Sequence, residues 1–282
     1  FRAPQVFSLL RDVDKCNAQG EYYLTDVVAA ARQACERVEA LLIDDAEEAM
    51  GINDQVQLAE AGRVMRKRIN EAHQHAGVSL IDPAATYIDA DVTIGTGTVI
   101  HPGVHLRGRT RIGSGCEIEP GAVVTDCTIG DNVHIKPGSV LSESTVGNDC
   151  AIGPMAHLRP GTVLDGNNKI GNFVETKKAR VGDGSKINHL SYVGDAQLGS
   201  GVNVGAGTIT CNYDGANKHR TVIEDDVFVG SNTEIVAPVT LRRGATIGAG
   251  STISRDAPDG QLTVSRARQT TIKGWKRPVK GE

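Results

Sequence analysis

Aliphatic residues return every six positions through most of this chain. The series opens with Ile88, Ile94, Ile100, Leu106, Ile112, Ile118 and Val124. After a one-residue contraction it resumes at Ile129, Ile135 and Leu141, then runs through Val146, Ile152, Leu158, Leu164 and Ile170. It continues at Val181, Ile187, Val193, Leu198 and Val204, and again at Val229, Ile235, Leu241, Ile247 and Ile253. A period of six matches neither an amphipathic helix nor an alternating strand. It fits short strands joined by tight turns, with one aliphatic side chain pointing inward per segment. Three segments close a triangular coil, and successive coils pair as parallel strands. The stretch from Ile88 to Ile253 accommodates about nine such coils.

Glycine supports this reading. Of the 33 glycines, only Gly20, Gly51, Gly62 and Gly77 precede residue 88. Many of the rest follow the inward aliphatic, as in Ile94-Gly95, Ile112-Gly113 and Ile129-Gly130. Aromatics make up 4% of the chain, too few for a conventional core, but a thin solenoid core needs none. The glycines do not fall every third residue, which excludes collagen. A net charge of −4 argues against nucleic-acid binding by the chain as a whole. No apolar run approaches the ~18 residues of a membrane span, and no signal peptide opens the sequence, so a cytoplasmic location is expected. The six cysteines (Cys16, Cys35, Cys116, Cys127, Cys150, Cys211) are far apart, without a C-x-x-C pair, and read as reduced thiols.

Two regions depart from the repeat. Between Val204 and Val229 lies the polar run Thr210-Cys-Asn-Tyr-Asp-Gly-Ala-Asn-Lys-His-Arg220, an insertion of the kind that forms binding loops in solenoids. Residues before about 80 are of another type. Thr25 to Arg37 has helical spacing with Asp26 in its first turn, and Arg37 to Asp44 reads as a strand. Asn53 to His75 reads as one long helix, capped by Asn53 or Asp54 and ended at Gly77. The chain begins at Phe1 within what reads as a folded segment, and a fragment is expected.

Three blocks carry a specific resemblance. Asn17-Ala-Gln-Gly-Glu-Tyr-Tyr-Leu-Thr-Asp26, Leu158-Arg-Pro-Gly161 with Gly171-Asn-Phe-Val-Glu-Thr-Lys-Lys-Ala-Arg180, and Asn188-His-Leu-Ser-Tyr192 through Asn203 to Lys218 resemble bacterial bifunctional N-acetylglucosamine-1-phosphate uridyltransferase/glucosamine-1-phosphate acetyltransferases. The resemblance covers essentially the whole chain. It implies a mainly β fold, a left-handed parallel β-helix of hexapeptide repeats, preceded by a small α/β remnant and a long linker helix. It further implies a homotrimer with sites between subunits. The domains expected on this basis are 1–55, the end of the uridyltransferase domain; 56–76, the linker helix; and 77–282, the acetyltransferase β-helix with a basic tail. The family's glycine-rich nucleotide loop is missing, so uridyltransferase activity is not expected. Asn53 matches a family Mg²⁺ position that belongs to that other half.

The implied reaction transfers acetyl from acetyl-CoA to the amine of glucosamine 1-phosphate. It needs a base for the amine, donors for the oxyanion and cations for the phosphate. The resemblance makes His189 the base, Arg159 and Lys177 phosphate ligands, and Tyr192 and Asn203 sugar ligands. Lys218, in the insertion, is expected to add charge from a neighbouring subunit. For acetyl-CoA the matching positions are Ala206, Asn212, Tyr213, Ser231, Ala249 and Arg266. Arg266 opens a tail with Arg268, Lys273, Lys276, Arg277 and Lys280, suited to CoA phosphates. Cys211 beside the site is not needed for thioester chemistry. Three other readings stay open at this point: a different hexapeptide-repeat acyltransferase, a zinc enzyme built on His101, His105, His134 and His157, and a non-catalytic scaffold.

Overall fold

The structure is a computed structural model that describes residues 3–16, 18–278 and 280. Asn17, which opens the first block of resemblance, lies outside the described residues. The chain divides into two compact units, residues 1–57 and 58–282.

The first unit contains α1 (Gln5–Leu9), a 3-10 turn (Leu10–Asp12), α2 (Asp26–Gln33) and a second 3-10 turn (Ala46–Ala49). Helix α2 carries Asp26 in its first turn but is shorter than the sequence spacing predicts, because Cys35 adopts a left-handed conformation (φ 57°) that ends it. The strand expected at 37–44 does not form. Leu41 and Leu42 are 90% and 89% exposed, and no strand of this unit stands among the described residues to pair with the segment's backbone. Without a partner, an extended apolar run gains neither hydrogen bonds nor burial.

Helix α3 (Gln55–His75) starts and stops for legible reasons. Asp54 Oδ1 accepts from Gln57 N at 2.8 Å, and Gln57 Oε1 accepts from Asn53 N at 2.6 Å, a close variant of the capping box. At the other end Gly77 takes φ +89°, Val78 N donates to His73 O at 3.1 Å, and Gly77 N donates to Gln74 O at 3.0 Å. These are the two bonds of a Schellman stop. Asn70 is buried and its Nδ2 donates to Pro83 O and Thr86 O (2.8 and 3.1 Å), which ties the helix to the first coil.

From Ser79 onward the chain winds into a parallel β-solenoid of three sheets, with 11, 10 and 9 strands. The chain visits a first, a second and a third face in turn, and each strand pairs with its counterpart one coil on. On the first face Ile100, Ile118, Ile135, Ile152, Ile170, Ile187 and Val204 pair in sequence, all essentially buried. The solenoid extends beyond the aliphatic series at both ends, from Ser79–Leu80 to Leu262–Thr263, so it makes about ten turns rather than nine.

Gaps in the series are filled by hydroxyls. Thr176 and Thr210 occupy inward positions on the second face, where Thr176 Oγ1 meets Thr162 Oγ1 at 3.0 Å and Thr210 Oγ1 bonds both backbone polar groups of Gly194. A buried hydroxyl is tolerated there because each finds a partner. Cys127 and Cys150 line the interior, and burial pushes both thiols up to about 11, which makes them inert packing groups.

Candidate active site

The insertion folds on its own local chemistry. It leaves the second face after Ile209–Cys211 and rejoins the solenoid on the third face at Thr221–Ile223. Asp214 Oδ1 accepts from Ala216 N and Asn217 N (2.8 and 2.6 Å), its Oδ2 lies 2.7 Å from His219 Nε2, and Tyr213 bridges Lys218 across the turn. These bonds hold the Asp214 carboxyl well below the usual carboxylate range, the backbone donor of Asn217 foremost. Asn212, nearly buried, anchors the base of the hairpin by donating from Nδ2 to Asp195 Oδ2 at 2.5 Å.

The hairpin brings Lys218 beside Lys177, at the end of Glu175–Lys177 on the second face. Lys218, by side-chain contact and by charge, and then Arg159 pull the Lys177 ammonium below its ordinary value, with Asp195 opposing. Lys218 therefore stands beside Lys177 of its own chain and adds a third cation to this group. Arg159 is oriented by Glu175, whose Oε1 accepts from Nη1 at 2.6 Å. Glu175 in turn pairs in register with Tyr192, whose hydroxyl lies across Gly194, one coil above Lys177. Three cations converging beside a tyrosine hydroxyl make an anion-binding surface.

A second group forms at the corner between the first and second faces. Asn172 ends the strand Lys169–Asn172, and His189 ends Lys186–His189 in register with it. His189 Nδ1 lies 2.7 Å from Asn172 Oδ1. Backbone bonds carry the same corner upward: Gly207 N donates to His189 O, Asn232 N to Ala206 O at 2.7 Å, and Gly250 N to Ser231 O at 2.8 Å. The Arg266 guanidinium donates to Ala249 O at 2.6 Å. His189, Ala206, Ser231, Ala249 and Arg266 thus line one edge in consecutive coils. Small side chains at Ala206, Ser231 and Ala249 leave that edge open to a long, thin ligand.

The structure does not gather every sequence candidate. Asn203 sits on the first face, three residues before the edge position of Ala206, and pairs with Lys186 and Phe228. Asn212 and Tyr213 lie at the far corner of the second face, with Tyr213 donating its hydroxyl proton to Gly215 O. Asn53 lies at the exposed start of α3. A lone amide does not fit Mg²⁺, which takes one or two carboxylates with phosphate oxygens, and no group of three or more metal-ligating side chains occurs among the described residues. The four histidines of the zinc reading do not converge. His101 and His134 share Glu117 on the first face, while His105 stacks on Tyr87 and His157 pairs with Glu175 on the second. Cys211 is raised by burial and by the charge of Glu234, so it is a thiol rather than a nucleophilic thiolate.

Three residues with evident roles carried no label in the sequence reading: Glu175, Asp195 and Asn172. Their signal is a spacing of 16 or 17 residues from the group each one holds, Arg159, Asn212 and His189. That spacing is one coil.

Comparison with known proteins agrees with the architecture. Residues 77–170 match the family described as the GMPPB C-terminal domain, and residues 220–255 the hexapeptide repeat of succinyl-transferase. The bifunctional protein GlmU of Syntrophotalea carbinolica is 63% identical over 276 residues, covering 98% of this chain and 60% of its own. The GlmU of Geotalea uraniireducens is 56% identical over 260 residues, covering 92% and 57%. Among solved structures, the UDP-N-acetylglucosamine acyltransferase LpxA of Bacteroides fragilis aligns with a TM-score of 0.45 at 20% identity, covering 64% of this chain and 70% of its own. No helix among the described residues is long and apolar enough to cross a membrane. The chain spans about three-fifths of the length of the curated relatives it matches, and over that span it is similar to the bifunctional GlmU proteins.

Proposed function

We propose that the solenoid transfers the acetyl group of acetyl-CoA to the amine of glucosamine 1-phosphate, giving N-acetylglucosamine 1-phosphate, a precursor for UDP-N-acetylglucosamine. The observation that carries this reading is the edge on which His189, Ala206, Ser231, Ala249 and Arg266 follow one another coil by coil. Such an edge takes the extended pantetheine arm, with Arg266 and the basic residues after it toward the CoA phosphates. The imidazole at its lower end reaches the thioester.

His189 accepts the amine proton as the nitrogen attacks the thioester carbonyl carbon. The N–C bond forms, the C–S bond breaks, and the departing sulfur takes up a proton as CoA thiol. Arg159, Lys177 and Lys218 bind the sugar phosphate, and Tyr192 and Asn203 serve the sugar hydroxyls. Asn212 and Tyr213 face acetyl-CoA from the insertion. They stand across the second face from His189, which supports sites completed between subunits of a homotrimer. Met155, Phe173 and Leu190, exposed along the His189 corner, are the apolar surface such an assembly would cover. The proposed division keeps 1–55 as the end of a uridyltransferase domain, 56–76 as the linker helix and 77–282 as the acetyltransferase domain.

The test is acceptor choice. The chain is expected to acetylate glucosamine 1-phosphate far faster than glucosamine, serine or a UDP-sugar. Preference for a different acceptor would make it another hexapeptide-repeat acyltransferase. Failure to bind or turn over acetyl-CoA would leave only a scaffold.

A further inference from the structure

The strands Lys169–Asn172 and Lys186–His189 have four residues each, where the solenoid's other strands have two or three. Pairing therefore continues to the corner in these two coils alone, and it sets Asn172 and His189 side by side. Gly171 makes this approach feasible: a Cβ there would fall 1.8 Å from Asn188 O. The outcome is one polar contact, Asn172 Oδ1 to His189 Nδ1 at 2.7 Å.

A neutral imidazole has one N–H and one lone pair, and the partner of one nitrogen decides which nitrogen keeps the lone pair. An amide oxygen only accepts, so His189 donates from Nδ1 and its lone pair sits on Nε2. An amide also differs from the carboxylate that often occupies this position beside a histidine. A carboxylate stabilises imidazolium and raises its pKa, which removes free base near neutral pH. A neutral amide orients the ring without that effect.

We propose that Asn172 is a positioning residue for acetyl transfer: its amide oxygen holds His189 as the Nδ1–H tautomer, so that Nε2 receives the proton of the attacking amine. This role rests on the reading of His189 as the base.

Three variants of the full chain test it: Asn172→Ala, Asn172→Asp and His189→Ala. Nitrogen-15 NMR of the histidine ring reads the tautomer without reference to activity. In the wild type His189 is expected to be protonated at Nδ1, and in Asn172→Ala that preference is lost. The same variant is expected to lose about three- to tenfold in kcat, the worth of one net hydrogen bond, at unchanged KM for the sugar phosphate. In Asn172→Asp the Nδ1–H form returns but the imidazole titrates higher. The acidic limb of the kcat profile then moves up by about one pH unit, with turnover low near pH 6 and recovered at high pH. An unchanged tautomer and kcat in Asn172→Ala, or an unmoved pH profile in Asn172→Asp, overturns the proposal while leaving His189 as the base. Near-normal turnover in His189→Ala would instead overturn the reading beneath it.

Discussion

Two corners of the solenoid share one period and differ in what they do with it. Between the third and first faces the repeat keeps its own rules. Gly113, Gly130 and Gly147 let the next coil's backbone come so close that a Cβ on any of them would lie within 3.0 Å of it. Side chains cap the corner from one coil to the next: Ser114 N donates to Asp131 Oδ1 at 2.7 Å, and Asp131 N to Asn148 Oδ1 at 2.9 Å. Between the first and second faces the rules are broken. Gly103, Gly121 and Gly138 take the left-handed turn position in early coils, but Met155, Phe173 and Leu190 take it in the coils around His189, with φ of 52°, 57° and 48°. All three are more than half exposed, at 57%, 55% and 61%. A large L-residue in that conformation costs about 1–2 kcal/mol and gains no burial within this chain. One corner serves stability alone; the other gives up stability where the site and a subunit surface are proposed.

Breaking the scaffold corner has the largest expected effect. In Gly147→Ala the new Cβ would sit 2.2 Å from Asp165 O, a backbone atom that cannot swing away. The chain is expected to lose about 3 kcal/mol of stability by urea denaturation, the upper range for overpacking. Lys177→Met acts on the site and spares the scaffold. Removing one charged phosphate donor, worth about 1.5–3 kcal/mol, raises KM for glucosamine 1-phosphate about ten- to a hundredfold without lowering Tm. Phe173→Gly separates strain from assembly. It is expected to relieve about 1 kcal/mol of backbone cost within each chain and, in sedimentation, to dissociate the proposed trimer at higher protein concentration than the wild type. Assembly unchanged by this variant would show that the apolar ridge is not covered by another copy.

The smallest effect is electrostatic. Lys218 and Arg159 disfavour the charged form of Lys177, so its folded-state pKa lies below that of an ordinary lysine. Its repulsion is present at neutral pH and disappears as pH rises through that depressed value. An NMR titration of the Lys177 side chain is expected to show a midpoint that moves back up in Lys218→Met and on addition of inorganic phosphate. A midpoint insensitive to both would separate the three cations.

Most of the solenoid is legible in the sequence because each inward position is chosen locally, by one aliphatic and the turn glycine after it. Gly77 as a helix stop and the insertion after Cys211 are legible for the same reason. The hand of the coil is not encoded in a six-residue period and came only from the resemblance. Thr176 and Thr210 were hidden because a buried hydroxyl breaks an apolar pattern and is explained only by its partner in another coil. Asn172 and Glu175 were hidden for a related reason: their roles exist only once adjacent coils are in register. Residues 37–44 misled because propensity for extended structure does not supply a neighbouring strand.

On the proposed function, the corner bearing His189 performs chemistry rather than holding the fold. The most direct measurement is acetyl transfer to glucosamine 1-phosphate by His189→Ala, taken together with its acetyl-CoA affinity and Tm. The expected result is a loss of about 10²–10⁴ in kcat, with binding and Tm unchanged. Turnover within a few fold of wild type, or a loss explained by unfolding, would contradict it.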